Sequence, residues 1–103
     1  MSVLQKITEL VKYNTVSRDS NLPLIDHVSS YLDDLGVSSY RVESEDGKKS
    51  NLYASVGPEE TGGVVLSGHT DVVPTDGQDW QTDPFDPEVK DGKVLFIIKI
   101  ALH

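Results

Sequence analysis

A chain of 103 residues is long enough for one small domain or for a piece of a larger one. Its net charge of −8, from 17 acidic and 9 basic residues, excludes nucleic-acid binding that depends on a cationic surface. The absence of cysteine excludes disulfides and thiolate metal sites, and no apolar run approaches the roughly 18 residues that span a bilayer. The first residues lack the layout of a secretory signal, so we expect a cytoplasmic protein with no membrane partner.

Two helices are predicted in the first third of the chain. Helical spacing of apolar residues predicts the first over residues 3–13, with Ser2 as its N-cap. A polar connection follows, and a second helix is predicted over residues 22–35, with Pro23 in its first turn and Gly36 just past its end. The residues expected to face the core are Val3, Leu4, Ile7, Leu10 and Val11, then Leu24, Ile25, Val28, Tyr31, Leu32 and Leu35.

Three strands are predicted after the helices. Two of them are predicted at residues 38–43, where apolar and polar residues alternate, and at residues 51–56, with a turn at Asp46-Gly47 between them. The apolar run at residues 64–66 predicts a third, buried strand, and residues 74–87 a long ordered loop. This order suits an α/β or an α+β layer in which helices cover a sheet. We expect the α/β fold, with two N-terminal helices packed on a mixed sheet.

A His-x-Asp motif stands at the carboxyl end of the third predicted strand, where sites collect in open sheets. Residues two apart on an extended chain point to the same side, so His69 and Asp71 can share one face. In that arrangement the imidazole can bind a metal through one nitrogen while the carboxylate fixes the other. The motif alone leaves a second interpretation open, a structural histidine with a carboxylate partner.

The remaining candidates are weaker. His27 lies in the second helix among polar neighbours, where a surface or boundary role is expected, and His103 is expected to be frayed. Ser67 precedes His69 by two residues without a Gly-x-Ser-x-Gly elbow, so a catalytic Ser-His-Asp triad is rejected. Residues 71–88 hold six acidic and no basic side chains, which fits a solvated loop, a negative rim that attracts cations, or both.

Five stretches together resemble a known family of hydrolases. They are Val64-Val65-Leu66-Ser67-Gly68-His69-Thr70-Asp71-Val72-Val73-Pro74, Asp76-Gly77-Gln78-Asp79-Trp80, Asp83-Pro84-Phe85, Thr15-Val16-Ser17-Arg18-Asp19-Ser20-Asn21-Leu22 and Asn51-Leu52-Tyr53-Ala54. The chain resembles the zinc-dependent acetylornithine deacetylases over roughly residues 3–94. That group belongs to a wider amidohydrolase and exopeptidase family with succinyl-diaminopimelate desuccinylase and the aminoacylases, and the Asp-Gly-Gln-x-Trp stretch favours the acetylornithine branch.

The resemblance implies a role for each residue of the motif. His69 would be a ligand of one of two zinc or cobalt ions, and Asp71 the carboxylate that orients it. A glutamate of the family deprotonates a water between the metals for attack on the acyl carbonyl of an N-acylated amino acid, a step of arginine biosynthesis. The implied fold is a zinc-exopeptidase-like α/β catalytic domain followed by a dimerisation domain.

The chain departs from the family after Val94. The family continues there with a Tyr-Gly-Arg-Gly turn and a metal-bridging Asp, whereas this chain reads Leu95-Phe96-Ile97-Ile98-Lys99-Ile100-Ala101-Leu102-His103. We therefore expect residues 1–94 to be the N-terminal part of the catalytic domain and residues 95–103 a divergent tail, from a frameshift or premature stop. The further ligands, the base and the dimerisation domain are absent, so we expect an inactive fragment. A non-catalytic α/β binding module and one half of a split enzyme are the alternatives.

Overall fold

The computed structural model describes residues 2–74, 76, 77, 79 and 83–95, which form two helices and two β-hairpins. The elements are α1 (Val3–Val11), α2 (Leu22–Asp34), β1 (Ser39–Glu43), β2 (Ser50–Ala54), β3 (Glu88–Lys90) and β4 (Lys93–Leu95). The α/β character is as predicted. Trp80 and residues 96–103, which include His103, lie outside the described residues.

Both helices carry the end signals that the sequence predicts. Ser2 caps α1 in a reciprocal capping box, in which its Oγ accepts from the Gln5 backbone N–H (3.2 Å) and the Gln5 Oε1 accepts from the Ser2 backbone N–H (2.8 Å). Helix α2 ends in a Schellman motif: Gly36 has φ 74°, and the N–H of Val37 donates to Leu32 C=O at 2.9 Å. Neither helix is long and apolar enough to cross a membrane.

The core of the described residues is small and lies between the helices and the segments that follow them. Its buried apolar members are Val11, Val16, Leu24, Ile25 and Val72. The prediction is wrong for Val3, Leu4, Tyr31 and Leu35, which are exposed. The Tyr31 ring instead carries the Lys6 ammonium 3.8 Å from its centroid, a cation–π contact that joins the polar edges of the two helices.

Strands β1 and β2 pair antiparallel and pack on α2 through polar contacts. Asn21 at the start of α2 donates from Nδ2 to Ser50 C=O and accepts at Oδ1 from Ser50 N–H, both at 2.9 Å. Arg41 pairs with Asp26 at 2.7 Å on the same side. The opposite face of the hairpin, where Tyr40 stands opposite Tyr53, is exposed.

The predicted mixed sheet is wrong for the residues that the structure describes. All four strands pair antiparallel in two separate hairpins, and the parallel pairing is a single bridge between Val16 and Val72. The second hairpin turns at Asp91 (φ 51°) and Gly92 (φ 73°), a pair of left-handed residues that suits a type I′ turn. Pairing of Glu88–Lys90 with Lys93–Leu95 is a feature that the sequence reading missed.

The buried strand predicted at residues 64–66 is also wrong. Residues 63–71 form no strand, and Val64, Val65 and Leu66 are 87%, 77% and 85% exposed. A strand needs a neighbour to pair with its backbone groups, and neither hairpin pairs with this run. The apolar character of the run indicates a tendency to be buried, but it does not identify a strand that would pair with it.

Acidification is expected to loosen the β1–β2 turn. The Asp46 carboxylate accepts hydrogen bonds from the Lys48 backbone N–H and the Ser44 hydroxyl, which lower the pKa of Asp46. Its folded pKa lies below the unfolded value near 3.9, so its contribution to stability is present above about pH 3.9. That contribution is lost as the pH falls through the folded pKa, and an NMR titration of the Lys48 amide measures it.

Two variants identify the group that titrates. Asp46→Asn keeps an oxygen acceptor in the turn without a titrating carboxyl. The chemical shift of its Lys48 amide should therefore not change with pH in this range. Glu45→Gln, a matched change of the adjacent exposed carboxyl, should leave the titration in place. A Lys48 amide that titrates equally in Asp46→Asn would contradict the assignment.

Candidate metal centre

The motif lies on an extended segment that is bound to the connection between the helices. Val72 N–H donates to Thr15 C=O at 3.0 Å, and Ser17 N–H donates to Val72 C=O at 2.9 Å. Val16 and Val72 are both buried at this bridge. Because side chains alternate along an extended chain, burial of Val72 leaves Asp71 and His69 on the outer side, where both are exposed.

His69 and Asp71 meet in the way that their spacing predicts. The imidazole Nδ1 lies 2.9 Å from Asp71 Oδ1 and 3.1 Å from the Asp71 backbone carbonyl oxygen. A carboxylate and a carbonyl can only accept, so Nδ1 carries the proton and donates to both. In the neutral ring this tautomer leaves the lone pair on Nε2, the state in which an imidazole binds a divalent metal.

The His69 and Asp71 side chains are accessible from solvent. The side chains of His69 and Asp71 are 41% and 60% exposed, so a metal ion can approach the ring from solvent. The residues present supply one imidazole ligand with a carboxylate behind it. Within the part of the chain that the structure describes, no three His, Cys, Asp or Glu side chains are grouped to hold a metal.

The other sequence candidates that the structure describes make local contacts. The His27 ring is tilted against that of Tyr13 (5.4 Å between ring centroids) and faces Glu9, at a partly exposed position that fits the surface or boundary role expected. In the acidic stretch, Asp83 Oδ1 accepts from Phe85 N–H at 2.9 Å. The solvated-loop interpretation therefore fits Asp83.

The structure adds two residues next to the motif to which the sequence reading gave no role. The Thr15 hydroxyl donates to Thr70 C=O at 2.5 Å, and Arg18 pairs with Asp76 at 2.6 Å. The hydrogen bond and charge of Asp76 raise the pKa of the Arg18 guanidinium. Both contacts join residues more than fifty positions apart, so no local pattern could indicate them.

Several curated relatives share this stretch of sequence. The chain is 39% identical over 99 residues to the acetylornithine deacetylase of Pasteurella multocida, a match that covers 89% of the chain and 26% of the relative. It is 42% identical over 76 residues to the acetylornithine deacetylase of Proteus mirabilis, a match that covers 73% of the chain and 19% of the relative. The succinyl-diaminopimelate desuccinylase of Anaplasma marginale is 40% identical over 88 residues, covering 81% and 22%.

The chain thus spans about a fifth to a quarter of the length of the curated relatives it matches. No protein-family model matches the chain. No solved structure matches it either. The sequence matches, extending over most of the 103 residues at about 40% identity, confirm the resemblance carried by the His-x-Asp stretch. Most of the chain is therefore similar, at about 40% identity, to one segment of the acetylornithine deacetylases and succinyl-diaminopimelate desuccinylases.

Proposed function

We propose that residues 1–94 are the N-terminal part of the catalytic domain of a metal-dependent hydrolase that removes the acetyl group from N-acetylornithine. The observation that carries the proposal is the His69–Asp71 pair, in which Nδ1 is satisfied by two acceptors and Nε2 keeps its lone pair. The relatives named acetylornithine deacetylase support the reaction. Residues 95–103 are proposed to be a divergent tail outside the catalytic part.

In this proposal His69 supplies one ligand through Nε2, and Asp71 holds the ring in the correct tautomer and orientation. When bound, zinc or cobalt would supply Lewis-acid chemistry, namely polarisation of the acyl carbonyl and activation of a water. The acidic side chains of residues 71–88 would favour accumulation of cations near this edge of the protein. The substrate would be a small N-acylated amino acid, the compartment the cytoplasm, and the parent protein a dimer.

The number of metal ligands determines whether these residues can hold a catalytic metal ion by themselves. A catalytic zinc site takes three protein ligands, whereas His69 is one. We therefore propose that the 103-residue chain does not hydrolyse N-acetylornithine by itself. The same shortage favours a second candidate, a split enzyme in which another chain supplies the remaining ligands.

A chimera tests the proposal. Residues 3–94 replace the matching segment of the Pasteurella multocida acetylornithine deacetylase, and hydrolysis of N-acetylornithine is measured with zinc or cobalt. We expect an active chimera, whereas the 103-residue chain under the same conditions gives no turnover.

Three results would change the assignment. Turnover by the isolated chain would contradict the ligand count. A folded but inactive chimera, together with saturable metabolite binding by the isolated chain, would favour a non-catalytic binding module. Activity restored by co-expressing a separate chain would identify a split enzyme.

A further inference from the structure

Thr15 is a buried polar residue in the segment that faces the motif. Its residue surface is 7% exposed, and a hydroxyl buried to this degree costs free energy unless it forms a hydrogen bond. The bond that it forms crosses to the motif segment, from Oγ1 to the carbonyl oxygen of Thr70 at 2.5 Å. The hydroxyl therefore binds the peptide group between Thr70 and Asp71.

The backbone of Thr15 holds a second peptide group of the same segment. Its carbonyl oxygen accepts from Val72 N–H at 3.0 Å. Each peptide group is planar, so Thr70 C=O shares a plane with Asp71 N–H, and Val72 N–H shares a plane with Asp71 C=O. Thr15 therefore holds both peptide planes that flank Asp71, and these two planes set the backbone dihedral angles of Asp71.

The orientation of His69 depends on those dihedral angles. Nδ1 donates to Asp71 twice, to the backbone carbonyl at 3.1 Å and to Oδ1 at 2.9 Å. A rotation of either peptide plane at Asp71 would move one or both acceptors away from the ring. The imidazole is 41% exposed, so we expect these two hydrogen bonds, more than packing, to set its tautomer.

We propose that Thr15 is a positioning residue that fixes the tautomer and orientation of His69 through the two peptide planes of Asp71. The inference rests on the proposed function in one respect, namely that a fixed His69 ring would present Nε2 to a metal ion. The effect of Thr15 on the His69 ring itself can be tested in the metal-free chain.

The test is ¹⁵N NMR of the His69 ring in the metal-free 103-residue chain, near pH 8, where an ordinary imidazole is neutral. In the unaltered chain we expect the proton on Nδ1. Thr15→Val keeps the shape of the side chain and removes the hydroxyl, and should shift the tautomer ratio toward Nε2–H by about threefold to tenfold. The Val72 amide should exchange faster by a similar factor, with the amides of β1 and β2 unchanged.

Two variants act as controls. Thr15→Ser keeps the hydroxyl and should restore the tautomer ratio of the unaltered chain. Thr8→Val removes a matched hydroxyl, which donates to Leu4 C=O at 2.8 Å within α1, and should leave the His69 ring unchanged.

An unchanged ring in Thr15→Val would overturn the inference. Loss of the β1–β2 amide protection in Thr15→Val would overturn it too, because Thr15 would then support the fold as a whole. The proposed function fails by a different measurement, an inactive chimera, so the two failures are distinguishable.

Discussion

Replacing His69 by alanine is expected to reduce hydrolysis of N-acetylornithine by the Pasteurella multocida chimera at least about a thousandfold. The substitution removes the imidazole whose Nε2 is proposed to bind the metal, and metal polarisation of the carbonyl and water supplies several kcal/mol of transition-state stabilisation. Asp71→Asn should cost less, about tenfold to a hundredfold, because the ligand stays while its orienting carboxylate is lost. Steady-state kinetics at fixed zinc concentration measures both.

His27→Ala is the matched control for the histidine. Its ring is only partly exposed and contacts Glu9 and Tyr13, and it makes no recorded contact with His69 or Asp71 among the described residues. We expect activity within about twofold of the chimera, since a contact between partly exposed groups contributes little. Equal losses in His27→Ala and His69→Ala would show that the effect reflects folding and not metal binding.

The second large effect is expected at Asn21, where alanine should lower the free energy of unfolding by about 2 to 4 kcal/mol. The Asn21 amide satisfies both backbone groups of Ser50, a residue only 3% exposed, and alanine leaves the two groups buried without these partners. Its side chain makes no capping bond to α2, so the loss lies in the contact between α2 and β2. Urea unfolding of the 103-residue chain measures it.

Asn51→Ala is the control on the same strand, at an exposed position, and should change stability by less than about 0.5 kcal/mol. Asn21→Asp should not rescue the loss. Its carboxylate can accept from Ser50 N–H, but it also places an acceptor against Ser50 C=O, where a donor is required. An Asn21→Ala chain as stable as Asn51→Ala would contradict the role assigned to this contact.

The elements governed by local signals were predictable from the sequence. Ser2 and Gly36 act at the ends of their helices through bonds to residues three or four positions away, so a short window contains the whole cause. The Asp46-Gly47 turn is of the same kind. The Asp91-Gly92 turn carries the same kind of local signal, a pair of left-handed residues between two short paired strands.

The misplaced elements depend on which surfaces meet. Residues 64–66 are apolar enough for a buried strand, yet their exposure follows from the lack of a paired neighbour in the described part of the chain. Tyr31 and Leu35 follow the helical period, but their burial requires a surface opposite them. Periodicity identifies the side of an element that tends to be buried and gives no information about its partner.

The candidate site likewise contains one local contact, which was predictable, and long-range contacts, which were not. The contact between His69 and Asp71 was predictable because it spans two residues of extended chain. Its support from Thr15 and Val16 was not predictable, because those residues reach the motif across more than fifty positions of sequence. Burial of Thr15 and Val72 reveals that support only once the chain is folded.

The zinc content of the purified chimera tests the central claim most directly, because it reports on His69 as a ligand without passing through catalysis. The resemblance implies two metal ions for each protomer. After equilibrium dialysis at a fixed free zinc concentration, we expect about two zinc ions in the chimera, about one in His69→Ala and two in His27→Ala. A folded His69→Ala chimera that retained the full zinc content and affinity would contradict the account.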